Sequence, residues 1–381
     1  MNWLLSRTKG DFVIWLIVIV LSLFSLLAVY SSTGTMAYKY QQGNTEYYLL
    51  KHLLLMAFGL GLMYGAHKID HKYYSRIAQI MLYISVPLLF ITLLLGVNVN
   101  DANRWLTLPG INVTFQTSDL AKLGLILYVA RMLSRRQDVI QDLKKSTLPI
   151  VGAVLLVCAL IAPANLSTAA LLFSTCFFLM FIGRMNMKHL GILIGTAFLA
   201  VSLFLLISSY ADLDVFRVKT WISRIENFSS DNPNEESYQN QQAKIAIATG
   251  GFFGKGPGNS IQKNFLPNPY SDFIFAIIIE EYGLLGGLCL ISLYLLLLYR
   301  SIRIVIKSPK AFGALLAAGL SISLVFQAFI NMGVATHLLP VTGLTLPQVS
   351  MGGTSLWFTS IAFGIIISVS RDIEELKPET T

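Results

Sequence analysis

Asp272 opens a long apolar run, and a glycine-rich polar segment leads up to it. That segment begins Gly250-Gly251-Phe252-Phe253-Gly254-Lys255-Gly256-Pro257-Gly258 and continues through Gln262 and Lys263 to Tyr270-Ser271. A carboxylate costs little in water but about 2.5–3.5 kcal/mol or more at the centre of a bilayer. An acid at the mouth of a membrane helix, with flexible polar backbone folded around it, is therefore placed where membrane chemistry could happen. The alternative is an interfacial helix cap, because Asp before an apolar run is a common N-cap. The glycine run is not a nucleotide loop. Thr249 stands where a P-loop needs its first glycine, and Gly256 where it needs Ser or Thr. The spacing also fits no dinucleotide fingerprint.

Ionisable residues inside apolar runs are the next candidates, because each is costly there and tends to face a cavity or a partner. Asp119 and Lys122 are three residues apart, hence on one helix face. They are either a structural ion pair or a substrate-contacting one. Glu280 and Glu281 follow Asp272 by eight and nine residues, about 12 Å deeper along a helix, and suit packing or hydrogen bonding. Lys51 and His52 snorkel near a span start. His337 has no second ligand at metal-binding spacing.

The elements that must carry these residues are membrane helices. Of 381 residues, 55% are hydrophobic and 13% charged, against about 25% charged in soluble domains. Ten runs are long enough, or nearly so, to cross about 30 Å of hydrocarbon. They are Phe12–Ser31, Tyr48–Ala66, Ile77–Leu95, Phe115–Leu133, Leu148–Ala162, Leu166–Ile182, His189–Ser209, Asp272–Tyr299, Phe312–Ala335 and Thr354–Ser370. The expected fold is an all-α, polytopic membrane domain over 1–381, with about ten transmembrane helices and one large extracytoplasmic loop, 210–271. The fifth and sixth runs are short, and the break between them at Pro163 is weak.

Charge orients the chain. With the N-terminus in the cytoplasm, eighteen of the 28 Lys and Arg fall on cytoplasmic segments and two, Lys39 and Arg104, on short outer loops. The six in the long loop count for little in this rule. Net charge +8 then reads as topology and anionic-lipid contact, with no nucleic acid implied. Both termini are expected in the cytoplasm. The first run is too long for a signal peptide and lacks its cleavage site, so it is an anchor. Cys158, Cys176 and Cys289 all lie in spans and form no disulfide framework.

Three blocks, in order, make the chain resemble the SEDS family (shape, elongation, division and sporulation). One is Asn100-Asp101-Ala102-Asn103-Arg104-Trp105-Leu106 followed by Gln116-Thr117-Ser118-Asp119-Leu120-Ala121-Lys122. The second runs from Gly254-Lys255-Gly256-Pro257-Gly258 through Gln262-Lys263-Asn264 to Asp272-Phe273-Ile274-Phe275-Ala276 and Glu280-Glu281-Tyr282-Gly283. The third joins Asn331-Met332-Gly333, Leu339-Pro340-Val341-Thr342-Gly343 and Ser350-Met351-Gly352-Gly353-Thr354-Ser355. The resemblance covers Phe12 to about Ser370.

It implies a peptidoglycan glycosyltransferase of the bacterial plasma (inner) membrane, polymerising lipid II at the outer face. In such an enzyme the acceptor sugar's 4-hydroxyl attacks the anomeric carbon of the lipid-linked donor, and the pyrophosphate carrier leaves. Asp272 falls on the family's essential aspartate, a general base that needs hydrogen-bond reach to the acceptor hydroxyl. Substrate contacts are implied for Arg104, Asp119, Lys122, Lys255, Gln262, Lys263, Ser350, Gly352 and Gly353. No protein metal ligand is implied, although a divalent cation, Mg or Mn, could serve the pyrophosphate. The implied partners are a class B penicillin-binding transpeptidase and divisome membrane proteins. Gly343-Leu344-Thr345-Leu346-Pro347 before Ser350 and the run Gly256-Pro257-Gly258-Asn259-Ser260 look more like the division branch than the elongation branch.

The chain departs from the family at Asp119, usually Glu; at Thr117, usually Pro; and at Asn165, where an acid is common. A lipid II flippase and a non-catalytic scaffold are the rival readings. A transporter should carry its charges near the midplane, whereas here they gather at the outer mouth. The topology has a direct check. In a cysteine-free background, Ser237→Cys should react with a membrane-impermeant thiol reagent in intact cells. Reaction only after lysis would invert the orientation.

Overall fold

The structure is a computed structural model that describes residues 9–40, 42–99, 102–107, 114–211, 224 and 235–375. Arg7, Asn100, Asp101, Arg217, Lys219, the run 231–234 and Lys377 lie outside the described residues.

All ten apolar runs coincide with helices. These are α1 (Phe12–Ser32), α3 (Thr45–Lys68), α4 (His71–Leu95), α5 (Thr117–Arg135), α6 (Leu148–Ile161), α7 (Leu166–Ile182), α8 (Met187–Ala211), α10 (Ile274–Lys307), α11 (Ala311–Ala335) and α12 (Ser355–Glu375). Among the described residues two further helices, α2 (Gly34–Tyr40) and α9 (Glu235–Gly250), flank them in the connections. Among the described residues seven helices are long and apolar enough to cross a membrane, and α7 and the first half of α8 are shorter apolar ones. The fold is thus polytopic and all but wholly helical. The short fifth run reaches spanning length because a π-helical turn, Leu143–Thr147, extends α6 to 19 residues at its start. The weak break at Pro163 is a real one. Asn165 caps α7 by accepting the amide of Thr168 at 3.1 Å, which ends α6 and restarts the chain.

The all-helical expectation missed one feature, a small antiparallel sheet of order β1-β2-β3 (Val97–Val99, Ala102–Thr107, Thr114–Gln116) between α4 and α5. Trp105 pairs with Gln116, and Thr107 with Thr114. The β-branched and aromatic residues Val97, Val99, Trp105, Thr107 and Phe115 were the available signal.

The chain divides into two compact units. One comprises Met1–Lys68, Arg224–Arg303 and Leu324–Thr381, and the other Ile69–Ser223 and Ile304–Ser323. In the first, α3 and α12 approach until backbone meets backbone. A Cβ on Gly364 would run into the carbonyl of Met63, and one on Gly59 would lie 2.9 Å from Ser360 Oγ. Small residues permit this where the apolar lipid gives helices no hydrophobic reason to associate. Trp357 adds a bond from its indole N–H to the carbonyl of Leu55, 3.2 Å. Asp11 caps α1 and also meets Arg300 of α10 at 2.5 Å. In the second unit, Gly319 of α11 lets Ile126 of α5 and Leu179 of α7 close over it, and Gly124 of α5 lies against Met81 of α4.

Candidate functional site

The glycine-rich segment is not a loose loop. Helix α10 is broken at Gly283, whose φ is 69° and ψ −171°. A break strips a membrane helix of backbone bonds, which must be replaced locally because no water is at hand. The segment after α9 supplies the replacements. The amides of Lys255 and Gly256 donate to the carbonyls of Glu280 and Glu281, each at 2.9 Å, and the amides of Leu284 and Leu285 donate to the carbonyls of Gly251 and Phe252, at 2.9 and 3.4 Å. Close pairing demands glycine: a Cβ on Gly250, Gly254 or Gly283 would strike the opposing backbone.

Side chains lock the same seam. Glu280 is fully buried, and its carboxylate accepts from Lys255 Nζ (2.7 Å), Ser260 Oγ (2.5 Å), and the amides of Ile261 (3.1 Å) and Gln262 (3.2 Å). A buried carboxylate is tolerable only with its charge and lone pairs answered. Here one ammonium and three other donors answer it. Glu281, 1% exposed, accepts from Ser31 of α1 and, at 3.3 Å, from the amide of Ser260. The structural roles expected of both glutamates are the ones they play. Lys255 also donates to Thr249 Oγ1 at 2.9 Å, and Lys263 donates to the Gly258 carbonyl at 2.7 Å and to Ser31 Oγ at 3.3 Å. Gln262 is buried, with its amide in the Glu280 cluster.

Asp272 is half-buried in the turn that leads into α10. The helix begins at Ile274, and the amides of Ala276 and Ile277 bond the carbonyl of Phe273. The cap position therefore falls to Phe273, one residue beyond Asp272. Ser271 donates to Asp272 Oδ1 at 3.0 Å. Asn331 of α11 holds the backbone, its Nδ2 donating to the carbonyls of Asp272 (2.9 Å) and Leu344 (2.7 Å). This joins the acid to the 336–354 loop. Gly343, at φ 67°, lies where a Cβ would be 3.9 Å from Asp272 Oδ2, so the loop backbone borders the carboxylate.

That loop is pinned along its length. Gln327 donates to the carbonyl of Thr345 (2.9 Å), Tyr294 to that of Pro347 (2.5 Å), and Ser25 to that of Val349 (2.7 Å). Gln348, at φ 62°, bonds Ser22 and Ser360. Ser350 is 3% exposed, and its hydroxyl donates to the Ser271 carbonyl (2.7 Å) and accepts the Leu346 amide (2.8 Å). Those bonds tie the Ser350 hydroxyl to the backbone of Ser271, next to Asp272. Gly352 and Gly353 form the turn that starts α12, with Gly353 at φ 58°. Asn331, Gln327 and Gly343 had been assigned no role. The signal was there for the first two: polar residues four apart on an otherwise apolar helix.

The second unit holds the other candidates. Asp119 lies in the first turn of α5, where the helix dipole favours an anion. Its Oδ1 is 3.4 Å from Lys122 Nζ, with side chains 5% and 14% exposed, so the expected ion pair forms. Oδ2 of Asp119 is buried without a hydrogen bond. Arg104, on β2, donates from Nε to the carbonyl of Ala164 at 2.7 Å. It shares with Thr92, Thr117, Ser118 and Asn165 a cavity of only about 10 Å³, room for about one water. Among the described residues no group of three or more His, Cys, Asp or Glu could hold a metal ion.

The family model for FtsW, RodA and SpoVE, described as cell cycle protein, matches residues 11–375. Stage V sporulation protein E of Bacillus subtilis is 31% identical over 370 residues, 96% of this chain and 98% of its own. A probable peptidoglycan glycosyltransferase FtsW of Nitrosococcus halophilus is 34% identical over 345 residues, 88% and 86% of the two chains. Among solved structures, a chain from a peptidoglycan synthase complex, described as coordinating polymerization and crosslinking, superposes with TM-score 0.72. It is 26% identical, over 96% of this chain and 98% of that one. The rod shape determining protein RodA of Thermus thermophilus gives 0.69 at 25% identity, over 98% and 99%.

The Glu280 cluster generates a sharp expectation. Glu280→Gln keeps the shape but leaves the Lys255 ammonium without its carboxylate. Breaking one partner of a buried pair costs about 3–5 kcal/mol. The variant should melt several degrees below wild type in detergent, and Glu280→Gln/Lys255→Met should recover part of the loss. A double variant no better than the single would remove the pair from the account.

Proposed function

Because the chain belongs to the FtsW/RodA/SpoVE family of cell cycle proteins, we propose that it is a peptidoglycan glycosyltransferase that uses Asp272 as its general base on lipid II. One observation carries the reading: a half-exposed carboxylate held from both sides at the entry of a membrane helix, by Ser271 at Oδ1 and by Asn331 at the main chain. This arrangement supports the reading of Asp272 as a base held in place.

In this mechanism the acceptor sugar's 4-hydroxyl is set within hydrogen-bond reach of Asp272. Its oxygen attacks the anomeric carbon of the donor as the bond from that carbon to the pyrophosphate oxygen breaks. The electron pair of the broken bond leaves with the undecaprenyl pyrophosphate, and the hydroxyl proton passes to Asp272. A single displacement inverts the anomeric centre and needs no covalent glycosyl-enzyme. Charge gathering on the pyrophosphate requires cations. Lys263, in the same unit as Asp272, is assigned to it; Lys255 first serves as the counter-ion of Glu280.

The site face, with Asp272 and the segment after α9, is assigned to the outside of the plasma membrane and both termini to the cytoplasm, on the Lys/Arg asymmetry. We place the chain in the division branch, supported by relatives named FtsW, with an elongation role as the alternative. A membrane-bound class B transpeptidase is the expected partner, because emerging strands need crosslinking. The described peptidoglycan synthase complex couples those two activities.

Asp272→Asn tests the chemistry. It retains the shape of the side chain while removing its basicity, so detergent stability should hold. A general base contributes about 10²–10⁴-fold, so polymer formation from purified protein, lipid II and partner should fall by that factor while lipid II binding persists. Full activity in this variant would overturn the mechanism. Depletion in the native cell should produce filaments without septa; rounded cells that still divide would assign the chain to elongation.

A further inference from the structure

In the second unit, four helix ends enclose a cavity. It measures about 330 Å³ and is open on one side. Ile140, after α5, and Ile182, at the end of α7, contribute apolar surface. Ala311, Ala314 and Leu315 contribute more, from one i, i+3, i+4 face at the start of α11. Gln137 and Arg184 supply the polar groups.

Three observations point to the same occupant. The lining joins apolar side chains to one arginine and one glutamine. It lies where membrane helices end, the depth at which a phospholipid changes from acyl chain to headgroup. Second, the charge around it is one-sided: Arg135, Arg136, Lys188, Lys307 and Lys310 stand on the same connecting segments, against Asp138 and Asp142. Third, Arg184 is held in a left-handed conformation, φ 64°, a position after a helix that normally goes to glycine. Its amide donates to the Phe181 carbonyl at 3.1 Å, and its own carbonyl accepts from Gln141 Nε2 at 2.7 Å. That conformation is uncommon for a residue with a side chain, and the two backbone bonds hold it there.

We propose that this cavity is a binding site for a phospholipid with an anionic headgroup. One acyl chain lies against Ile140, Ile182 and the α11 face, and Arg184 and Gln137 take the headgroup phosphate. A guanidinium fork suits phosphate oxygens, and basic pockets between membrane helices at the cytoplasmic face bind such headgroups. The site is independent of Asp272 and of the reaction assigned to it.

The test is native mass spectrometry of the full chain, titrated with phosphatidylglycerol or with phosphatidylcholine of the same acyl chains. Wild type should retain phosphatidylglycerol about fivefold more tightly, the effect of roughly one interfacial cation. Arg184→Gln should lose that preference, and Arg184→Lys should keep most of it. Ala314→Phe, which fills the cavity, should weaken retention of both lipids. Equal retention of the two lipids by wild type, or an undiminished preference in Arg184→Gln, would overturn the proposal. So would competition by glycerol 3-phosphate as strong as that by the intact lipid, since it would leave only a phosphate site.

Discussion

The structure depends on a backbone constraint at one residue. Gly283 interrupts a 34-residue membrane helix, and the four main-chain groups set free around it, two carbonyls before and two amides after, must find partners without water. They find them in residues 251–256, which lie along the break as a strand would. Because both chains approach at backbone distance, Gly250, Gly254 and Gly283 can carry no side chain. The glycines therefore serve closeness of approach, and the segment they build is rigid.

Rigidity at the break propagates to the acid. The stretch from Gly258 to Ser271 is anchored at one end by the Glu280 and Glu281 carboxylates. At the other end it is anchored by Ser350, Asn331 and the bond from the Met351 amide to the Tyr270 carbonyl, 3.0 Å. Asp272 thus sits between two sets of fixed donors. The 336–354 loop that borders it is tied to α1, α10, α11 and α12 by Ser25, Tyr294, Asn331 and Ser360. Several buried polar side chains of the first unit spend their hydrogen bonds on this one purpose.

How much of this was legible in the sequence follows from which forces act locally. Ten helices could be read because crossing hydrocarbon favours long apolar runs, which show in local composition even where, as in α7, the helix is shorter than a full span. Asp119 with Lys122 was legible too, since three residues along a helix fixes the neighbour. The role of Glu280 was readable only in outline: its depth told that it must be satisfied, but its four donors lie 18 to 25 residues earlier in the chain. The tie from Asn331 to Asp272 spans 59 residues and carries no local signal beyond the presence of an amide in an apolar helix. The bond from the Ser350 hydroxyl to Ser271, 79 residues away, carries no local signal either. The short sheet around Arg104 escaped notice because its strands are only three to six residues long.

Hydrogen–deuterium exchange resolved to single amides would test the central claim most directly, on the wild-type protein in detergent or nanodiscs. If residues 251–256 replace the missing helix bonds at Gly283, the amides of Lys255, Gly256 and Leu284 should exchange as slowly as those in the adjoining turns of α10. Exchange at the rate of an open glycine loop, with Leu284 unprotected, would contradict the account.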